Sequence, residues 1–168
     1  FNKLPQNNLF FYLGTGATEQ IVDVASGEKT EIFNQIEGFP LVSKSWSNDA
    51  KFFAVSHSKE STKGAGITVL DGATFAAIKT LKGGKDSIKP INWSPNGKHI
   101  AGGDREGMIY IWNVASGKLA HSFQAKKTNL PGFKNLSWSP DGKKLLANSR
   151  IWQLSAKSNS PLAMVAIE

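Results

Sequence analysis

Short apolar, β-rich runs alternate with turn-forming clusters along the chain, and the alternation repeats. It is cleanest between Ile88 and Phe123. An extended run over Ile88 to Trp93 is followed by the turn Ser94-Pro95-Asn96-Gly97 and a second run over His99 to Gly102. A reversal over Gly103 to Gly107 leads into Met108 to Val114, and Ala115-Ser116-Gly117-Lys118 turns into Leu119 to Phe123. Proline presets φ at the second turn position and glycine accepts a positive φ, so Gly97 and its counterpart Gly142 read as turn residues. Linkers this short dictate antiparallel pairing, because a parallel crossover needs about a dozen residues or more.

The same order recurs on both sides. Leu41 to Trp46, Phe52 to Val55, Ile67 to Leu70 and Ala77 to Leu81 form one unit; Phe133 to Trp138, Leu145 to Ala147, Ile151 to Leu154 and Leu162 to Ile167 form another. Ahead of them, Leu9 to Leu13, Gln20 to Val24 and Thr30 to Phe33 give a first unit without its opening strand. A Trp-Ser pair closes each opening strand, as Trp46-Ser47, Trp93-Ser94 and Trp138-Ser139, at spacings of 47 and 45 residues. A period of that size marks stacked supersecondary units. Trp112 and Trp152 end the third strands of their units. Residues 1–168 therefore read as one all-β repeat array divided near 1–34 (incomplete), 35–82, 83–124 and 125–168. The tryptophans are predicted to pack on the neighbouring sheet, burying about 150 to 250 Å² each. Small polar residues, Ser45, Asn92 and Ser137, sit on the opposite pleat face.

Two spacings break the rule. From second-strand alanine to third-strand end the chain takes 11 residues between Ala101 and Trp112, only 5 between Ala147 and Trp152, and 16 between Ala54 and Leu70. A hairpin needs about two linking residues. The fourth unit is accordingly expected to have lost its turn, with residues absent between Ser149 and Arg150, and Ser56 to Gly66 is expected to protrude as a mobile loop.

The Trp-Ser-Pro-Asn/Asp-Gly-Lys segments, together with Ile109-Tyr110-Ile111-Trp112-Asn113 before Ala115-Ser116-Gly117, resemble the WD-repeat β-propeller family from about Leu9 onward. The resemblance implies blades of four antiparallel strands around a central channel, in a partial or oligomer-completed ring. Open blade edges would then need covering by further blades, a second copy or a partner. The chain departs from the family pattern in places. Lys82-Gly83-Gly84-Lys85 and Gln124-Ala125-Lys126-Lys127 stand where a glycine-histidine pair is usual. Glu106 replaces the aspartate before the turn glycine, and Asn113, Leu70-Asp71 and Gln153 occupy the region of the Trp-Asp dipeptide. Ser-Pro-Asp-Gly turns are also similar to those of TolB-type bacterial propellers.

Charge adds a direction. The chain has 20 Lys and Arg against 13 Asp and Glu, for a net charge of +7. With alternating strands, the fourth-to-first and second-to-third linkers share one rim, which collects Lys59, Lys63, Lys82, Lys85, Lys89, Arg105, Lys126, Lys127 and Lys134 against Glu60, Asp86, Asp104 and Glu106. Lysine-rich charge attracts phosphate or acidic protein as point charge. Phe133 is the main aromatic there that could stack on a base.

Catalytic chemistry finds little footing. Gly14-Thr15-Gly16-Ala17 lacks the Gly-Lys-Ser/Thr of a phosphate loop and reads as a turn. His57, His99 and His121 have no metal-ligand spacing and read as solvated or edge residues. No Gly-x-Ser-x-Gly elbow occurs, and Asp23, Asp71 and Asp104 follow the repeat instead of converging. No cofactor is expected. The absence of cysteine excludes a disulfide framework and leaves the compartment open, with the cytoplasm favoured. No apolar run approaches the ~20 residues that span a bilayer. Phe1, without methionine or leader pattern, reads as an internal cut or a processed end.

The expected role is a non-catalytic scaffold for protein assembly. Two alternatives stand beside it: a nucleic-acid- or ribonucleoprotein-associated propeller binding through the lysine rim, and a propeller accessory to an enzyme whose catalytic part lies elsewhere.

Overall fold

The computed structural model describes residues 9–13, 19–23, 27, 29–31, 41–57, 65–125, 132–154 and 164–165. These residues carry fifteen strands and no helix. β1 (Leu9–Leu13), β2 (Glu19–Asp23) and β3 (Lys29–Glu31) form a three-stranded sheet. The second sheet is β4 (Leu41–Trp46), β5 (Phe52–His57), β6 (Gly66–Asp71) and β7 (Ala77–Lys82). The third is β8 (Ile91–Trp93), β9 (His99–Gly103), β10 (Met108–Asn113) and β11 (Leu119–Gln124). The fourth is β12 (Leu136–Trp138), β13 (Lys144–Ala147), β14 (Arg150–Gln153) and β15 (Met164–Val165). Every sheet is an antiparallel meander in chain order, as short turns require.

The period-2 pattern of β10 explains how the sheets stack. Tyr110 and Trp112, with Trp93 and Ile100, pack against Ala54, Ile67, Val69 and Leu81 of the second sheet. Ile109 and Ile111, with Ala101 and Phe123, pack against Leu136, Trp138, Leu145 and Trp152 of the fourth. A strand covered on both faces must be apolar throughout, and Ile109 to Trp112 are all buried. Each such side chain removed from water contributes about 1.5–3 kcal/mol. The outer strands β7 and β11 are mostly exposed, apart from Leu81 and Phe123.

One hydrogen-bond pattern folds the first hairpin of each complete sheet. The hydroxyls of Ser47, Ser94 and Ser139 donate to Asp49, Asn96 and Asp141 two residues on, at 2.8, 2.8 and 2.5 Å. The same hydroxyl oxygens accept the N–H of Phe52, His99 and Lys144. Gly97 and Gly142 supply the positive φ, both at +67°, while the second sheet puts Ala50 there at +57°.

Two expectations are corrected. The fourth sheet keeps its second hairpin: Ala147 pairs with Arg150 across a two-residue turn, Asn148-Ser149, in which Asn148 takes φ +54°. Asparagine tolerates that left-handed conformation, so the minimal loop closes without further residues. In the second sheet, Ser56 and His57 are not loop residues. β5 runs to His57, which pairs with Gly66, and both side chains are buried. Residues 58–65 of the expected loop remain between the strands, of which 58–64 lie outside the described residues, as does Gly14-Thr15-Gly16-Ala17. The opening strand of the third sheet starts at Ile91 and not at Ile88, because Pro90 has no N–H to give a ladder.

Candidate interaction rim

Indole N–H groups stitch successive sheets together. Trp93 donates to the carbonyl oxygen of Ser45 at 3.1 Å and Trp138 to that of Asn92 at 3.2 Å, so each opening-strand tryptophan grips the residue before the tryptophan position of the preceding sheet. From the third strand, Trp112 donates to the carbonyl of Lys82 at 2.9 Å. Trp46 instead packs within its own sheet on Phe53 and Phe75, with ring centroids 4.6 and 5.9 Å away. On the opposite rim Lys79 reaches across to the carbonyls of Val114 and Ala115 at 3.1 and 2.5 Å.

Around the second hairpin of the third sheet a polar cluster gathers Asp104, which the sequence alone places on the rim without a convergent partner, with Tyr110 and Lys85. Asp104 is fully buried. One of its oxygens accepts the Met108 N–H at 2.9 Å and the other accepts the Tyr110 hydroxyl at 2.8 Å. The Tyr110 oxygen in turn accepts the Lys85 N–H at 3.4 Å. Burial, followed by the hydrogen bond to Asp104, pushes the Tyr110 phenol up to about 12. Asp104, three residues before Gly107 and first in its turn, was the available signal: an aspartate there accepts backbone N–H groups and organises the loop. Asp86 and Ser87 are buried beside it, the Ser87 N–H donating to the Asp86 carboxylate at 2.7 Å. Lys85, Asp86, Asp104, Glu106, Met108 and Gln124 line a cavity of about 270 Å³ on this rim.

Of the candidate rim cations, Lys82, Lys85, Lys89, Arg105 and Lys134 are exposed; Lys59, Lys63, Lys126 and Lys127 lie outside the described residues. The described cations share the rim with Asp86, Asp104 and Glu106, of which only Glu106 is exposed. Phe133 is not a free stacking surface. It is half-buried on the cluster of the third and fourth sheets, so close to Gly103 that a Cβ there would lie 2.2 Å from its ring.

The histidines divide. His57 is fully buried, its Nε2 2.7 Å from the Thr68 hydroxyl, which corrects the expectation of a solvated residue. His121 is exposed on β11. Partial burial of His99, with the nearby His121 and Lys98 charges, holds its imidazole below the ordinary value. Among the described residues no three His, Asp or Glu side chains gather in a metal-binding arrangement, and no helix is long and apolar enough to cross a membrane.

A family model described as the WD40 domain of anaphase-promoting complex subunit 4 matches residues 74–141, from the turn before β7 to the Ser139-Pro140-Asp141 turn. The Protein tipD of Dictyostelium discoideum is 29% identical over 115 residues, which cover 64% of this chain and 18% of tipD. Over these stretches the chain is similar to WD40 β-propeller repeats, and its all-β architecture is that of propeller blades, three of its sheets having four antiparallel strands each among the described residues. The chain thus spans less than a fifth of the relative it matches. WD40 domains are generally non-catalytic and mediate protein interactions. Trp93, Trp112 and Trp138 tie successive sheets, Trp152 is buried in the core between the third and fourth, and Trp46 packs within its own sheet.

Proposed function

We propose that this propeller array is a non-catalytic scaffold that docks a protein partner on the rim formed by its fourth-to-first linkers and second-to-third hairpins. One observation carries the reading. Lys82, Lys85, Lys89, Arg105 and Lys134 are all exposed on that rim, and among the described residues none is engaged in an ion pair. Exposed cations over a rigid base favour an acidic partner surface and speed its encounter. Lys59 and Lys63 fall between β5 and β6 in the sequence, and Lys126 and Lys127 between β11 and β12. The matched family model describes a subunit of a multi-protein complex, which favours assembly over an isolated role. With Phe133 packed away, the rim offers charge without an aromatic platform, and base recognition loses its main support.

The test is capture of partners from native lysate on the full chain, with and without nuclease, and with Lys82, Lys85 and Lys89 changed to Glu. Proteins should persist after nuclease and fall away with the charge reversal. Partners that vanish with nuclease, or that ignore the charge reversal, would remove the proposal.

A further inference from the structure

Blades three and four differ at one matched pair of positions. Trp112 stands opposite Ile100 on β9, and Trp152 stands opposite Leu145 on β13. Two residues earlier on the same strand face, Tyr110 of the third blade is therefore matched by Arg150 of the fourth. In the third blade both polar groups find acceptors in the chain itself: the Tyr110 hydroxyl donates to the buried Asp104 of the same blade, and the Trp112 N–H donates to the Lys82 carbonyl of the second sheet. In the fourth blade both matching donors, Nη1 of Arg150 and Nε1 of Trp152, are buried and have no hydrogen-bond partner among the described residues.

The hairpin explains the difference. The third blade reaches Asp104 only because its second hairpin continues past Gly103; the fourth turns at Asn148-Ser149, immediately after Ala147. No residue of that turn replaces the carboxylate. Asn148 directs its side-chain oxygen to the Lys134 N–H, 2.9 Å away. A buried N–H without an acceptor is costly, and more so on a charged group, so two of them on one strand face are a strong demand for acceptors. The side chains point the same way, since alternate residues of a strand share a face. That face looks toward the third blade, where the Trp152 ring lies 4.8 Å from that of Phe123. Arg150 is half-buried as a residue and starts its strand directly after the rim turn, so its side chain lies at the rim end of the strand, with Nη1 buried. The exposed Lys134 and Arg105 stand on the same rim and add positive potential.

We infer that the fourth blade takes from its partner the carboxylate that the third blade supplies for itself. The ligand is an Asp or Glu side chain of a docked protein, entering beside the Asn148-Ser149 hairpin and held by Arg150, with the Trp152 indole as the second donor. A guanidinium matches a planar carboxylate through paired N–H donors, and the apolar wall of Trp152 and Phe123 suits a monoanion on a methylene stem better than a dianionic phosphate. This site rests on the scaffold reading and narrows it to an acidic partner segment.

The test follows the ¹⁵N indole signal of Trp152 in the full chain, identified by its loss in Trp152→Phe. The capped tripeptide acetyl-Gly-Glu-Gly-amide, sodium acetate, inorganic phosphate and sodium chloride are titrated at matched ionic strength. The glutamyl peptide and acetate should shift the Trp152 signal saturably and leave that of Trp112 in place. Arg150→Gln should weaken this at least tenfold, and Arg150→Lys should keep only part of it; the lysine variant carries the test if the glutamine variant fails to fold. No shift, a shift equal to that with chloride, a response untouched by either Arg150 variant, or a stronger response to phosphate than to carboxylate would each overturn the site. Nuclease-resistant capture of partners alongside a silent Trp152 would sink this site and leave the scaffold reading standing.

Discussion

The indole N–H of Trp93 donates to the backbone carbonyl of Ser45, 48 residues away in the chain and one blade away in space. Trp138 repeats the bond to Asn92. A side chain that recurs with the repeat thus both fills the seam between blades and fixes the relative height of their opening strands. Trp93→Phe keeps most of the ring and removes the donor. It should cost about 0.5–1.5 kcal/mol, read as a lower midpoint in urea at unchanged slope. An unchanged midpoint would show that the bond is not a structural tie.

Trp112 and Trp152 provide a matched comparison, since both end third strands and both are buried, but only Trp112 has an acceptor. Replacing either by Phe loses similar ring area. The hydrogen bond makes the difference. In the absence of ligand, Trp112→Phe should therefore be the more destabilising by about 1–3 kcal/mol, measured by denaturant unfolding of the two variants side by side. Equal losses would mean that packing alone governs both sites.

Ala50 occupies the turn position that Gly97 and Gly142 hold in the next two blades, with φ +57° against +67° in both. A side chain in the left-handed region costs about 1–2 kcal/mol, partly offset by the extra freedom glycine gives the unfolded chain. Ala50→Gly should stabilise the protein by about 0.5–1 kcal/mol. Gly97→Ala should destabilise it by a similar or larger amount, and thermal unfolding of both variants would check the pair.

Tyr110 makes alkaline stability specific. Its folded value, about 12, lies above the ordinary 10.0 because burial and the Asp104 hydrogen bond disfavour the phenolate. Between those values the unfolded chain releases the proton while the native chain holds it, so stability falls as pH rises through that window. Absorbance titration should show a late-ionising tyrosine, and Tyr110→Phe should abolish that late step and flatten the alkaline decline.

Much of the architecture was legible because strands and turns are local. The β4 limits, the Ser-Pro-Asn-Gly turns and the antiparallel order follow from periodicity, turn chemistry and short linkers, and the matched tryptophan spacing revealed the repeat. The fourth hairpin was misjudged because a two-residue turn depends on one residue, Asn148, accepting a positive φ, which composition does not announce. His57 was misjudged for a different reason: whether a polar residue beside a long insertion is solvated depends on how far the strand pairing continues, and pairing with Gly66 and Thr68 is a partner-strand property.

The sequence by itself determined the repeat and the order of its strands, because those depend on neighbours within a few residues. Only the tertiary structure decided which polar groups are satisfied. Asp104 meets Tyr110 through a hairpin, Trp93 meets Ser45 across a blade seam, and Arg150 Nη1 and Trp152 Nε1 meet no acceptor among the described residues. Hydrogen-bond satisfaction is set by atoms brought together from distant stretches of chain, so it appears only once the blades are stacked.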